Sequence, residues 1–206
     1  MRYQSTNFQT VGGWIGRIFR LDFSVFTEIR ADRSATTAAI FVVLVSSFVA
    51  GLGSWLWALQ HDEFQGVDGT EVLLKSLVLG GIIQTAVWFL WVYLVYQVLA
   101  RAYSARIEFA ELIRTMGFAF VPVALNILIF IAGIAVPIGV ISFAMVVLFT
   151  NIAIQHATDV EAREATMANL TGFTAFALLM GGFANVFEVG TFGGLAPGIF
   201  FFALDF

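Results

Sequence analysis

The spacing of charged residues along the chain constrains its fold more than any other feature. Long stretches carry no Asp, Glu, Lys or Arg, and one of them runs from Thr115 to Thr158. A helix needs about 20 mostly apolar residues to cross the hydrocarbon of a bilayer, so this stretch is long enough for two crossings, divided at Gly133 and Pro137. The charge-free stretches therefore predict five membrane-spanning helices, at residues 35–59, 76–100, 115–134, 137–155 and 165–187.

Composition supports an integral membrane protein. Apolar and aromatic residues make up 60% of the chain and charged residues 12%, whereas soluble domains average about 45–50% and about 25%. We expect an all-α fold, a polytopic bundle of five transmembrane helices preceded by an N-terminal amphipathic interfacial helix. Residues 1–34 form the N-terminal segment, and residues 188–206 form a Gly- and Phe-rich tail whose apolar run is too short to cross.

The basic residues predict the orientation, because Lys and Arg concentrate in cytoplasmic loops. With five spans, all nine arginines lie on the side of the N-terminus, and Lys75, the single lysine, lies on the other side. We expect a cytoplasmic N-terminus and a C-terminal tail outside. The predominance of arginine over lysine and the short N-terminal tail are typical of a bacterial protein, so we expect the bacterial cytoplasmic (inner) membrane.

Residues 14–30 have the pattern of an interfacial helix, with polar and apolar residues on opposite arcs at 3.6 residues per turn. Such helices place aromatic residues at the headgroup boundary and arginines near anionic lipid phosphates. The predicted lipid-interface residues are Trp14, Arg17, Arg20, Arg30 and Arg33. Asp22 interrupts the apolar arc, either as a cap or hydrogen bond to a helix end or as a carboxylate that faces a partner.

Several kinds of chemistry lack the residues they need. The chain has no cysteine and two histidines, His61 and His156, which the predicted topology places on opposite sides of the membrane. Nucleophile, zinc-protease and phosphate-loop motifs are absent as well. We expect no enzyme activity, no cofactor and no metal, although either histidine alone could be an axial ligand to a chlorophyll-type pigment. The acidic balance, with a net charge of −4, excludes nucleic acid as a partner.

Polar residues within the predicted spans allow two interpretations. The spans contain no charged residue, which argues against an ion-coupled transporter. Gln84, Asn126 and Asn169 are most simply hydrogen-bond partners between helices. They could alternatively line the path of a small permease or lipid-handling protein.

Two segments carry most of a resemblance to a known family, and a third, at residues 153–168, is similar to it only in composition. The first contains Phe26, Glu28, Ile29, Arg30 and Asp32, and the second contains Phe109, Glu111, Leu112, Arg114, Gly117, Phe118, Ala119 and Pro122. These segments resemble the Yip domain family of five-span membrane proteins, whose eukaryotic members bind Rab-type GTPases and act in vesicle traffic. The resemblance implies five helices, a cytoplasmic N-terminus, no catalytic activity and partner-binding residues at Phe26, Glu28, Asp32, Phe109, Leu112, Arg114 and Pro122.

The sequence thus favours a non-enzymatic membrane scaffold or accessory subunit that binds other integral membrane proteins and anionic lipids. A Rab-type GTPase is an expected partner only in a eukaryote. The alternatives are a small permease or lipid-handling protein, an accessory subunit of a respiratory or photosynthetic electron-transfer complex, and membrane shaping by the amphipathic segment.

Overall fold

The computed structural model describes residues 8–60, 68–131 and 133–186, and within them the protein is helical without strands. Five helices in this part are long and apolar enough to cross a membrane. They are Ala35–Ala58, Gly69–Ala102, Phe109–Phe130, Ala135–Ala157 and Ala162–Ala184. The predicted all-α class with five membrane-spanning helices is confirmed, and the protein is a multi-pass integral membrane protein. His61 and the predicted tail at 188–206 lie outside the described residues.

The N-terminal amphipathic segment forms two helices, α1 at Phe8–Phe19 and α2 at Val25–Ala31, where a single helix over 14–30 was predicted. The backbone of Leu21 is left-handed, with φ 61. The amide of Leu21 donates to the Ile18 carbonyl at 2.9 Å and the amide of Asp22 to the Arg17 carbonyl at 3.0 Å. This pair of bonds is the Schellman closure, which satisfies the last carbonyls of α1 and stops the helix.

The first span, α3, runs over Ala35–Ala58, and the second begins earlier than predicted. The second span consists of α4 at Gly69–Leu73, a π-helical segment at Leu74–Leu79 and α5 at Gly80–Ala102. Asp68 caps α4 by accepting a hydrogen bond from the Thr70 amide at 2.9 Å. Lys75, where the charge-free stretch was cut, pairs with Glu71 one turn away at 2.7 Å. A lysine neutralised by its own helix does not end that helix.

The third span changes its helix type. It begins with α6 at Phe109–Ala119, so the helix includes Arg114, although the predicted span began after this residue. A 3₁₀-helix then occupies Val121–Phe130. Pro122 explains the change, because a proline removes the amide that an α-helix would use and clashes with the preceding turn. In the 3₁₀ segment Val123, Asn126 and Ile129 are all fully buried, as its repeat of three residues per turn requires.

The last two spans are α7 at Ala135–Ala157 and α8 at Ala162–Val186. Gly133, which was predicted to divide the longest charge-free stretch, has a left-handed backbone with φ 84 in the connection before α7. Pro137 lies in the first turn of α7, where no amide is needed for an intrahelical bond.

The chain divides into two compact units. Unit 1 comprises the described residues within Met1–Val43, Trp91–Val121 and Val147–Phe173. Unit 2 comprises those within Leu44–Leu90, Pro122–Val146 and Thr174–Phe206. The candidate site described below belongs entirely to unit 1.

Backbones approach each other closely inside unit 2. A Cβ atom on Gly53 of α3 would overlap the main chain of Asn126 and Ile127, so only glycine fits there. Close approach of this kind is what small residues provide at helix contacts in membranes. Gly12 on α1 is the opposite case, since a Cβ there would meet nothing within 4 Å.

We expect Gly53→Ala to destabilise the protein by about 1–3 kcal/mol, because the 3₁₀ segment must move to admit the methyl group. Gly12→Ala, the matched control, should be neutral or stabilising by about 0.5–1 kcal/mol, since alanine favours the helix and has room. Unfolding in mild detergent measures both variants. Equal stability of the two would contradict the packing described for Gly53.

Candidate functional site

The two segments that carry the family resemblance pack against each other through a buried arginine. Arg114 on α6 is 4% exposed, and its Nε donates to the main-chain carbonyl of Arg30 on α2 at 3.1 Å. Its Nη1 donates to Oγ1 of Thr36 at the start of α3 at 3.3 Å. Arg30 in turn pairs with Glu111 of α6, with 3.3 Å between Nε and Oε1. We call Arg30, Thr36, Glu111 and Arg114 the α2–α6 brace.

The end of α7 joins the brace through His156. Its Nδ1 lies 3.2 Å from Oγ1 of Thr27, and its carbonyl accepts a hydrogen bond from Nη1 of Arg30 at 3.4 Å. The ring of Phe26 lies against the imidazole, with 6.3 Å between centroids. His156 therefore ties α7 to α2. No sequence pattern predicts this contact, because the partners are separated by more than a hundred residues.

A second group of polar side chains closes the turn between α1 and α2. Arg17 donates to Asp22 at 2.7 Å and to both oxygens of Glu28 at 2.7 and 2.8 Å. The hydroxyl of Ser24 donates to Asp22 at 2.6 Å and accepts from Nη2 of Arg17 at 3.1 Å. We call Arg17, Asp22, Ser24 and Glu28 the α1–α2 network. Asp22, whose role the sequence left open, is an ion-pair partner within this network.

The network shifts the pKa values of its members. The hydrogen bonds to Glu28 and Asp22 raise the pKa of Arg17. The Ser24 hydroxyl and the Arg17 guanidinium lower the pKa of Asp22 below its usual value of 3.8. Both shifts favour the charged forms, so the network holds the turn most firmly when Asp22 is ionised.

The side chains predicted to contact a partner are mostly inside the protein. Phe26 and Leu112 are fully buried and Arg114 nearly so. Pro122 is also buried, and its carbonyl accepts from Oγ of Ser142 at 2.9 Å. In this structure these four side chains are buried and cannot touch a partner directly. Phe26, Leu112 and Arg114, all in unit 1, form the support beneath the surface of α2.

The remaining three predicted residues have separate positions. Phe109 is half-buried, with its ring 5.6 Å from that of Tyr96. Asp32 accepts from the amide of Ser34 at 2.9 Å and so orders the start of α3. Glu28, the third of them, is exposed and bound to Arg17.

The predicted lipid-interface residues fall into three groups, which are buried, ion-paired or exposed. Trp14 is buried, and its ring packs edge-on against Phe118 with 5.3 Å between centroids. It faces α6 because α1 uses its apolar arc to pack on the spans. Arg17 and Arg30 are engaged by protein carboxylates. Arg20 and Arg33 are exposed and make no ion pair with any described residue.

Asn169 and Asn126 make hydrogen bonds between helices, the first within unit 1 and the second within unit 2. In unit 1, Asn169 accepts from the Trp91 indole at 3.2 Å and donates to Thr150 at 3.0 Å. In unit 2, Asn126 donates to Ser142 at 2.8 Å. Gln84 of unit 2 is fully buried, and neither atom of its amide has a hydrogen-bond partner among the described residues.

Within the described ranges, no group of three or more His, Cys, Asp or Glu side chains is placed to hold a metal ion. In comparison with known protein families, the family model described as the Yip1 domain matches residues 21–204. No curated protein and no solved structure matches the chain.

We expect Arg114→Met to lower the free energy of unfolding by about 2–3 kcal/mol, because the Arg30 carbonyl and the Thr36 hydroxyl lose a charged donor. Arg114→Lys should lose less but still weaken the brace, since an ammonium cannot reach both acceptors as a planar fork does. Exposed Arg106→Met, the control, should stay within about 0.5 kcal/mol of wild type. Unfolding in mild detergent distinguishes these cases, and a neutral Arg114→Met would contradict the brace.

The α1–α2 network should make the stability of the protein depend on pH in the acidic range. The pKa of Asp22 is lower in the folded protein than in the unfolded chain, so its stabilisation is present above the unfolded value and is lost as the pH falls through the folded value. Asp22→Asn should be less stable than wild type near neutral pH, and the difference should shrink as the pH falls below 3.8 and disappear below the folded pKa of Asp22. Thermal unfolding of both proteins over this range measures it. A difference that grows on acidification would refute the assignment.

Proposed function

The chain belongs to the Yip1 domain family, and from that premise we propose that it is a non-enzymatic membrane scaffold that binds another integral membrane protein through the exposed side of α1 and α2. We define this docking face as Gly13, Ser24, Thr27, Glu28 and Ala31, all of which are exposed. The brace beneath it is the observation that carries the proposal.

The position of the family-like residues supports this interpretation. The family-like segments at 26–32 and 109–122 include the buried residues Phe26, Leu112 and Arg114. Their packing fixes the position and orientation of α2 against α6. A short helix of 7 residues would not hold its shape alone. Binding to a surface that is already ordered loses less conformational entropy, which favours affinity.

The surface chemistry of the docking face suits a protein partner. Small and hydroxyl side chains lie beside the ion pairs of Arg17 with Asp22 and Glu28. Gly13 leaves open space above α1, so the backbone of another helix can approach it. An accessory subunit of a larger membrane complex, including an electron-transfer complex, would use such a face. In a eukaryote the family resemblance also implies a Rab-type GTPase.

The proposed location is the bacterial cytoplasmic membrane with the N-terminus in the cytoplasm. The docking face would then meet cytoplasmic parts of the partner. The distribution of arginine supports this orientation, since Arg20 and Arg33 lie on the exposed surface of the N-terminal helices and Lys75 lies on the second span.

One observation favours a second function, a small permease or lipid-handling protein. The unpartnered amide of Gln84 and the unpartnered Oδ1 of Asn126 lie buried in unit 2. A buried amide without a partner costs about 1–3 kcal/mol, which a bound polar molecule would offset. Asn169, the third residue considered for such a path, already has partners for its amide.

A photo-crosslinking residue at Gly13 or Ala31 tests the docking face in native membranes. We expect each to crosslink the same integral membrane protein, which also co-purifies stoichiometrically in mild detergent. The control is the same residue at Leu178 of α8, which is 73% exposed and should not capture that protein. Gly13→Trp should abolish co-purification without unfolding, since the site has room. A monodisperse, partner-free protein with no crosslink at either position would overturn the proposal.

A further inference from the structure

The helix α1 carries apolar side chains that neither the brace nor the docking face uses. Phe8 is 87% exposed, Phe19 is 43% exposed and Leu21, just beyond the helix, is 62% exposed. At 100° per residue, Phe8 and Phe19 lie on the same side of α1, roughly opposite Arg17. Thus α1 has a buried face at Trp14 and Ile18, a polar side within the α1–α2 network and an exposed apolar side.

Leu21 occupies a position that ordinarily belongs to glycine. Its φ of 61 is left-handed, and a residue with a Cβ pays roughly 1–2 kcal/mol for that conformation. Glycine or asparagine would close the same helix end with less strain. Leu21 is 62% exposed, so burial against the described part of the protein offsets little of this strain.

The contacts of the turn between α1 and α2 indicate how far along the membrane-spanning helices this apolar side lies. Phe23, two residues after Leu21, packs on Phe149 with 5.1 Å between ring centroids. At the rise of an α-helix, Phe149 lies about 12 Å along α7 from its end at Ala157. The turn therefore lies beside the membrane-spanning part of α7, well inside its end.

A contact between α1 and the third span also places α1 beside a membrane-spanning helix. Trp14 packs on Phe118, which lies about 6 Å further along the third span than Arg114, its last charged residue. The neighbouring span surface is apolar and open as well, since Leu148, next to Phe149, is 59% exposed. Lipid tails are as apolar as leucine, so this exposed side chain suits contact with lipid.

We propose that Phe8, Phe19 and Leu21 anchor α1 in the boundary between lipid headgroups and acyl chains. The occupant of this apolar side is the bilayer of the protein's own membrane, continuous with the lipid that surrounds α7. The exposed guanidinium of Arg20, between Phe19 and Leu21, lies where it meets anionic headgroups. The proposal concerns the side of α1 that is turned away from the docking face, and it holds whether or not the docking face binds a protein.

The absence of cysteine makes the test direct, because a single introduced cysteine takes the only label. The full chain is placed in nanodiscs of phosphatidylcholine and phosphatidylglycerol with a nitroxide at Phe19→Cys or Leu21→Cys. The matched control is Gly13→Cys on the other side of α1. We expect the ratio of collisions with oxygen to collisions with a water-soluble nickel complex to be several-fold higher at positions 19 and 21 than at position 13.

A second variant keeps the test independent of the label at position 21. Leu21→Asn keeps a residue that tolerates the left-handed turn but removes the apolar group. It should lower the oxygen-to-nickel ratio measured at Phe19→Cys, whereas Gly13→Cys should not respond.

Three results would overturn the proposal. The labels at positions 19 and 21 could be as accessible to nickel as the label at position 13, which would place this side in water. They could instead show spin–spin broadening, which would mean that a second copy of the chain covers it. An unchanged ratio at Phe19→Cys in the Leu21→Asn background would mean that Leu21 is no anchor. None of these results bears on crosslinking at the docking face.

Discussion

A single buried guanidinium organises the N-terminal side of this membrane protein. Arg114 lies in the third span but donates hydrogen bonds to the Arg30 carbonyl and the Thr36 hydroxyl. These two acceptors belong to α2 and to the start of α3. A charge in this position is tolerated only when protein groups replace its water. The consequence is structural, since satisfying Arg114 fixes α2 against α6. Every surface assigned to α1 and α2 depends on that attachment.

Much of the fold follows from the sequence because the bilayer restricts a spanning chain to a few solutions. Charge-free stretches long enough to cross identify the five helices, and Gly133 lies in the connection before α7, with Pro137 in the first turn of that helix. The limits of the spans follow less well, because a charged residue ends a predicted span but not a real helix. Lys75 is neutralised by Glu71, and Arg114 is hydrogen-bonded by uncharged acceptors that only the folded chain brings near.

The candidate site was less predictable for a related reason. Helical periodicity places Trp14 on an apolar arc but cannot say whether the arc faces lipid or protein, and the structure turns it onto Phe118. The same ambiguity applies to Phe26 and Leu112, which carry the family resemblance and are buried. The role of Leu21 could not be predicted from the sequence, because it depends on a left-handed φ. Leucine rarely adopts that conformation, so no sequence pattern indicates it.

The 3₁₀ segment at Val121–Phe130 has a mechanical consequence for the third span. Its 10 residues extend about 20 Å, at the larger rise of this helix type, where an α-helix would extend about 15 Å. Because three residues make one turn, Val123, Asn126 and Ile129 stack in a straight column. Inserting a single residue at its start would swing the column by a third of a revolution, carrying the amide of Asn126 away from Ser142. The length of this segment is therefore as tightly specified as its composition.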